Sequence, residues 1–151
     1  MIGKILLNNA VSIGIHGVLC LLSFFIIVTL GLQFRIKSPY FFMIFYTIIV
    51  FSLYCLSGRF ILRNTHGVWT SLLSVTLLAV IVTVAMLAAR SRSSLVVMNM
   101  SFFPLIDAFH YLPLPRFISE TKSLGLSFLC LIACLPSLAM WIGMISARTK
   151  L

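Results

Sequence analysis

Acidic residues are almost absent from this sequence. Of its 151 residues only Asp107 and Glu120 are acidic, and only three are histidines. Acid–base and nucleophilic catalysis normally needs a cluster of carboxylates, imidazoles or hydroxyls, which so few residues do not supply. No apolar run contains an acidic residue. This argues against a proton-coupled antiporter, because coupling needs an embedded group that exchanges its proton for the substrate.

Cysteine is also sparse, and its placement is not that of a ligand set. The four cysteines lie inside apolar runs, without CxxC spacing or clustered histidines: Cys20, Cys55, Cys130 and Cys134. Such thiols usually behave as small apolar side chains. Cys130 and Cys134 share one face of a predicted helix, but neighbouring turns hold side chains too far apart for an easy disulfide. The sequence therefore predicts no redox role, no metal site and no cofactor.

Charged residues of either sign are few, and hydrophobic residues dominate. The composition is 9% charged and 62% hydrophobic, and the mean hydropathy is +1.19. A soluble protein of this length could not bury so much apolar surface. Lipid can solvate that surface if the backbone polar groups are satisfied internally, as they are in helices. The sequence therefore predicts an all-α integral membrane protein.

The net charge of +9 does not indicate nucleic-acid binding. The eleven lysines and arginines lie between or outside the apolar runs, one or two at a time, and form no basic stripe. Basic residues at the ends of hydrophobic spans usually contact lipid phosphates. We therefore expect anionic lipid headgroups as partners, and no nucleic acid.

Four apolar segments are long enough to cross a bilayer core of about 30 Å, at about 1.5 Å per residue. They predict one domain, a bundle of four transmembrane helices at residues 10–32, 40–58, 68–89 and 124–145. The first run is too long for a secretory signal and lacks a suitably placed cleavage site, so we expect a retained helix. Short connections predict that the first and second helices, and the second and third, are antiparallel neighbours.

The connection between the third and fourth helices is long, and it is too apolar for a disordered linker. Within it, Phe102, Leu105, Ile106 and Phe109 recur at helical spacing. This pattern predicts a helix at about residues 101–112, either amphipathic and interfacial, which we favour, or re-entrant, dipping into the bundle. An irregular apolar loop over the mouth of the bundle is the remaining alternative.

Basic residues are divided almost equally between the two sides of a four-span layout. Five lie on the side of the termini and six on the opposite side. Per residue of loop the termini side is denser in positive charge, so we expect both termini in the cytoplasm. A near-equal division also admits dual topology, in which copies insert both ways.

His16 is the only histidine inside a predicted span. Ionisable groups at the bilayer centre usually mark proton or ion pathways. The structural alternative is a neutral imidazole bonded to a neighbouring serine or carbonyl. His16 lies about two turns from the predicted helix start, so we expect a shallow position.

The second helix is crowded with aromatic side chains, among them Phe45, Tyr46, Phe51 and Tyr54. Those near its ends are expected in the interfacial belt. We expect the others to face lipid or a partner rather than a ligand.

Polar residues of the long connection are the best candidates for ligand contacts. Asp107 and His110 lie one turn apart on the polar side of the predicted loop helix. Arg90, Arg92 and Arg116 are close enough in sequence to hold an anionic group, because a guanidinium donates two hydrogen bonds to phosphate. We predict that Asp107 and His110 either form a solvated polar face or contact a lipid headgroup or a loop of a partner protein.

Small residues four apart predict close helix contacts. The pairs are Ala10 and Gly14, Ala133 and Ser137, and Ala139 and Gly143. They are expected to pack either within the bundle or between subunits.

Two classes of function are compatible with these features. The first is a non-catalytic multi-pass membrane protein, an accessory or assembly subunit of a larger membrane complex or a homo-oligomer. The second is a small transporter or channel for a hydrophobic or lipid-like substrate, lined by hydroxyl and aromatic groups. A membrane enzyme acting on lipid headgroups comes third and depends on Asp107 and His110.

Overall fold

The computed structural model describes residues 2–31, 39–62, 67–88, 100–102 and 122–147. Within these residues the chain forms four α-helices and no strand: α1 (Ile2–Ile26), α2 (Pro39–Phe60), α3 (Val68–Ala88) and α4 (Lys122–Ser146). A π-helical turn (Ile27–Gly31) extends α1, and a 3₁₀ turn (Met100–Phe102) lies in the long connection. The prediction of an all-helical bundle is confirmed.

The first helix differs most from its predicted bounds. It begins at Ile2 rather than at residue 10, so His16 lies near the middle of the helix and not two turns from its start. The prediction began the helix at residue 10 because Asn8 and Asn9 interrupt the apolar run. Both asparagine side chains are nevertheless buried in the bundle. The other three helices begin and end within two residues of the predicted positions.

The helices do not pack in the order of the sequence. The most extensive contacts join α2 to α4, followed by α3 to α4 and α1 to α3. Among the described residues α2 and α3 hardly touch, and α1 contacts the 3₁₀ turn more than it contacts α2. The expectation that the first and second helices, and the second and third, are closely packed neighbours is therefore wrong, whereas the consecutive helices α3 and α4 do pack together. A short connection brings helix ends together, but it does not decide which faces pack.

Two glycines explain the close packing of α4 on α2. A Cβ atom on Gly58 would overlap the backbone carbonyl of Met140, and one on Gly143 would overlap the carbonyl of Cys55. Without side chains between them, the two backbones gain dispersion contacts at short range. This crossing places α4, rather than α3, beside α2.

The helix ends show that the four helices alternate in direction. Trp141, near the end of α4, donates from Nε1 to the carbonyl of Val68 at the start of α3, at 3.3 Å. Gly58, near the end of α2, meets the same part of α4. Asn9, in the first half of α1, contacts α3 within its first three turns. The start of α1 and the end of α4 therefore lie at the same end of the bundle.

Two described helices are long and apolar enough to span a membrane. These segments are Ile2–Thr29 and Val68–Ala85, with mean hydropathies of 2.5 and 2.2. The apolar stretches of α2 and α4 are shorter, at Ile44–Phe60 and Cys130–Ser146. A buried core helix or a signal sequence has similar length and composition, so these properties make spanning feasible without demonstrating insertion.

Alanine substitutions at the glycines test the close crossing. Gly143→Ala and Gly58→Ala should each lower the unfolding temperature in detergent, at a cost of roughly 1–3 kcal/mol, because the added methyl separates the two backbones. Gly14→Ala is the matched control, since a Cβ there meets nothing within 4 Å, and it should cause no loss when the chain is monomeric in detergent. Thermal unfolding followed by circular dichroism measures both. Equal losses at Gly14 and Gly143 would contradict the crossing.

Candidate functional site in the two faces of the first helix

The side of α1 that faces the bundle is polar. Its buried residues are Asn8, Asn9, Ser12, His16, Leu19 and Ser23. Steps of three and four place them on one face of the helix. Only Leu19 among them is apolar, whereas soluble proteins usually bury apolar residues and expose asparagine and serine.

Asn9 connects α1 to the backbone of α3. Its Nδ2 donates to the carbonyl of Leu73 at 2.9 Å and also to the carbonyl of Ile5 in α1 at 3.0 Å. Its Oδ1 accepts from the N–H of Leu77 at 3.0 Å. Leu73 and Leu77 are four residues apart, so the amide lies across one turn of α3. Both donors and the acceptor of this buried amide are used, which offsets the cost of its burial.

His16 lies at the centre of a buried cluster that also contains Cys20, Tyr54 and Ser101, which we call the thiol cluster. His16 Nδ1 is 2.7 Å from Tyr54 Oη, and Tyr54 donates its proton to Ser101 Oγ at 2.9 Å. Tyr54 Oη is then free to accept from Nδ1–H, which leaves Nε2 as the acceptor nitrogen of the ring. Nε2 lies 3.5 Å from the Sγ atom of Cys20, and this Sγ is 3.7 Å from Ser101 Oγ.

Ring packing holds the thiol cluster together. The Tyr54 ring stacks on Phe102 at 5.7 Å between centroids, with 12° between the planes, and on His16 at 6.0 Å and 29°. Tyr54, Ser101 and Phe102 are fully buried. Ser101 and Phe102, which belong to the long connection, are therefore packed against α1 and α2. The rest of the predicted loop helix, residues 103–112, lies outside the described residues.

A second tyrosine hydroxyl lies on the same face of α2. Tyr46 precedes Tyr54 by eight residues and is only 4% exposed. Its hydroxyl lies near Ser23, one turn of α1 beyond Cys20. It forms no hydrogen bond with any residue that the structure describes. Buried polar atoms that lack a hydrogen-bond partner are uncommon in proteins.

The sequence predicted His16 as the intramembrane polar residue, but it did not predict the partners of His16. The expectation that aromatic side chains in the middle of the second helix face lipid or a partner is wrong for Tyr46 and Tyr54. A usable signal was present: the buried positions carry tyrosine, whereas exposed positions of α2, such as Phe41 and Phe45, carry phenylalanine. A hydroxyl within an apolar helix indicates a polar partner inside the protein.

The opposite side of α1 is apolar and rich in small residues, and we call it the outward face. It consists of exposed positions that recur at steps of four and three: Gly3, Leu7, Ala10, Gly14, Gly17, Leu21, Phe24 and Val28. This heptad spacing is typical of a seam between two helices. A Cβ atom on Gly3, Gly14 or Gly17 would meet nothing within 4 Å. No described part of the bundle therefore covers these glycines.

The small residues of α4 are buried inside the bundle, in contrast to the exposed small residues of α1. Ala133 and Ala139 are fully buried, Ser137 is 5% exposed, and Gly143 lies against Cys55 of α2. Packing within the bundle thus accounts for these four predicted helix-packing residues. Ala10 and Gly14, the pair predicted in the first helix, face outward instead.

The loop candidates Asp107, His110, Arg90, Arg92 and Arg116 all lie outside the described residues. Within the described ranges, no group of three or more His, Cys, Asp or Glu residues is arranged to hold a metal ion.

A groove of about 400 Å³ lies between α3 and α4. Its walls are mainly apolar, with Val75 and Ala79 on one side and Leu138 and Trp141 on the other. Pockets of this size and character accommodate apolar small molecules.

Replacement of Asn9 tests the link between α1 and α3. Asn9→Leu keeps the volume but removes both bonds to the α3 backbone, and we expect a loss of about 1–2 kcal/mol in unfolding free energy in detergent. Ser12→Ala is the matched control because, among the described residues, the Ser12 hydroxyl bonds only to the Asn9 carbonyl of its own helix. It should cost less. If Asn9→Leu lowers the unfolding free energy no more than Ser12→Ala does, the hydrogen bonds from Asn9 to α3 contribute little to stability.

No family model, no curated protein and no solved structure matches this chain. Its function is therefore inferred from the two faces of α1, one polar and buried, the other small, apolar and exposed.

Proposed function

We propose that this chain is a non-catalytic multi-pass membrane protein that works as a subunit of a membrane assembly. In this proposal the outward face of α1 contacts a helix of a second copy or of a larger partner. The observation that supports it is the arrangement of α1, with polar side chains inside and glycine, alanine and apolar side chains outside.

Lipid is the solvent that suits this surface. Large apolar side chains are exposed on the outer sides of the helices, including Phe41 at 70% and Trp69 at 77%. Exposure to water costs about 25 cal/mol for each Å² of apolar surface, whereas lipid carries no such penalty. In an apolar 18-residue stretch of each of the two long segments, only 22% and 28% of residues are buried, whereas the core helix of a soluble protein is mostly buried.

All four helices are proposed to span the membrane. The apolar stretches of α2 and α4 each cover 17 residues, close to the lower limit for a span. At the end of α2 the Arg59 guanidinium lies over the Phe60 ring, 5.4 Å from its centroid. From there the long arginine side chain can extend to lipid phosphates, which lengthens the effective span.

The alternating helix directions support an even number of spans. The start of α1 and the ends of α2 and α4 lie at one end of the bundle, where Lys4 and Arg59 also lie. Basic residues near span ends favour the cytoplasmic side and contact anionic headgroups. We therefore place both termini in the cytoplasm.

Assembly through α1 follows from how helices associate in lipid. Because lipid tails are as apolar as leucine, association depends on close van der Waals packing between small residues. Gly143 of α4 and Gly58 of α2 achieve this inside the bundle. The outward face of α1 offers a surface of the same kind that remains open in the described structure.

The groove between α3 and α4 supports a second candidate function, a small transporter or channel for a hydrophobic or lipid-like substrate. Its apolar walls suit an acyl chain or a similar molecule. The third candidate, an enzyme acting on lipid headgroups, depends on Asp107 and His110.

Reporter fusions test the proposed topology. Fusions at the N-terminus and the C-terminus should both report the cytoplasmic side, because four alternating spans return the chain to its starting side. The protein should also stay in the membrane fraction after alkaline extraction. Reporters on opposite sides would require an odd number of spans, and release at alkaline pH would exclude a multi-pass protein.

Gly14→Ile tests the assembly surface. The branched side chain should hold a neighbouring helix away and weaken association by at least about tenfold, or about 1.4 kcal/mol, without affecting the fold. Val80→Leu, at an exposed position of α3, is the matched control and should leave association unchanged.

The mass of the complex in native nanodiscs measures the effect of Gly14→Ile. A larger complex that loses a second copy or a different protein in this variant supports the proposal. A wild-type chain that is monomeric in nanodiscs would contradict it, as would assembly that the variant leaves intact.

A further inference from the structure

We infer that Cys20 is a covalent modification site, an activated thiol that adds to apolar α,β-unsaturated carbonyl compounds from the surrounding membrane. The inference rests on the thiol cluster and on the hydroxyl of Tyr46. It requires a membrane-embedded bundle but does not require assembly through α1.

The base for this reaction is His16. Its Nε2 lies 3.5 Å from Sγ of Cys20, and its other nitrogen is oriented by Tyr54, which is held in turn by Ser101. A nucleophile, a base within hydrogen-bond reach and a third group that orients the base are the arrangement of activated thiols. Because Nδ1–H is directed to Tyr54, Nε2 is the nitrogen that accepts the thiol proton.

The other cysteines provide a contrast within the same chain. Cys55, Cys130 and Cys134 are partly exposed, as Cys20 is. In the described ranges, none of these three forms a hydrogen bond with a histidine. Exposure alone therefore does not distinguish Cys20 from them, whereas the imidazole does.

The position of Cys20 determines which reagents reach it. The thiol lies on α1 between the polar buried face and the outward face, with buried Leu19 before it and exposed Leu21 after it. An approach from outside crosses apolar side chains in the middle of a long apolar helix. This route admits uncharged apolar molecules and disfavours ions.

Tyr46 supplies a hydrogen-bond donor for the carbonyl oxygen. Its hydroxyl is buried beside Ser23, one turn of α1 beyond Cys20, and forms no hydrogen bond of regular geometry with a described residue. A buried hydroxyl without a partner is available to donate a hydrogen bond to an oxygen that develops negative charge during the reaction. This unsatisfied hydroxyl is the observation that indicates a ligand, independently of the Cys20–His16 pair.

The reaction balances without an oxidant or a leaving group. The thiol proton moves to His16 Nε2 as Sγ forms a bond to the β-carbon of the unsaturated carbonyl compound. The electron pair of the C=C bond shifts to give an enolate, whose oxygen accepts a hydrogen bond from Tyr46. The proton on His16 then moves to the α-carbon, so that S–H has been added across the double bond.

The full-length protein in nanodiscs tests the inference with N-ethylmaleimide, a small uncharged α,β-unsaturated carbonyl compound. After short pulses, mass spectrometry measures the adduct at each of the four cysteines. Cys20 should react at least about tenfold faster than the other three, since general-base assistance typically contributes more than this. 2-Nonenal should give the same preference, whereas saturated nonanal should leave no stable adduct.

Two variants separate chemistry from structure. His16→Gln should reduce the Cys20 rate to that of the other cysteines, and Tyr46→Phe, which keeps the ring, should reduce it while the unfolding temperature is unchanged. Ser52→Ala is the control, because within the described part of the chain the exposed Ser52 hydroxyl bonds only to its own helix. A wild-type Cys20 that reacts no faster than Cys55, Cys130 and Cys134 would overturn the inference. So would an unchanged Cys20 rate in both His16→Gln and Tyr46→Phe.

Discussion

The rest of the structure depends on one constraint, that the polar face of α1 must find its hydrogen-bond partners inside the bundle. A buried amide or imidazole without a partner costs several kcal/mol in an apolar environment. Asn9 meets this requirement on the backbone of α3, and His16 meets it on Tyr54 of α2. The position of α1 relative to both helices, and of the 3₁₀ turn between α1 and α2, follows from these partners.

A different kind of contact holds α4. Gly58 and Gly143 bring α4 against α2 at backbone distance, where dispersion rather than hydrogen bonding stabilises the pair. The bundle therefore combines polar contacts around α1 with close backbone packing around α4. Because α4 uses its small residues internally and α1 does not, the outward face of α1 is the surface that supports the proposed assembly.

The two proposals use different sides of the same helix. The outward face offers glycines to a neighbouring helix, whereas the buried face carries His16 and borders Cys20. Neither requires acidic residues, which are almost absent from the sequence. An imidazole, a thiol and two tyrosine hydroxyls are enough for addition to an activated double bond, because that reaction only moves one proton and forms one S–C bond.

The sequence by itself determined the helical class and the approximate extent of three helices, because apolar runs of this length allow few other structures. It also singled out His16, since an imidazole in an apolar run is conspicuous. Only the tertiary structure decided the packing order and the partners of His16. Helical periodicity describes each helix separately, whereas Tyr54, which bonds to His16, lies 38 residues further along the chain. Ser101 joins them from a more distant 3₁₀ turn through its hydrogen bond with Tyr54. Such contacts depend on how the helices cross, which is set by glycines and buried amides acting between helices.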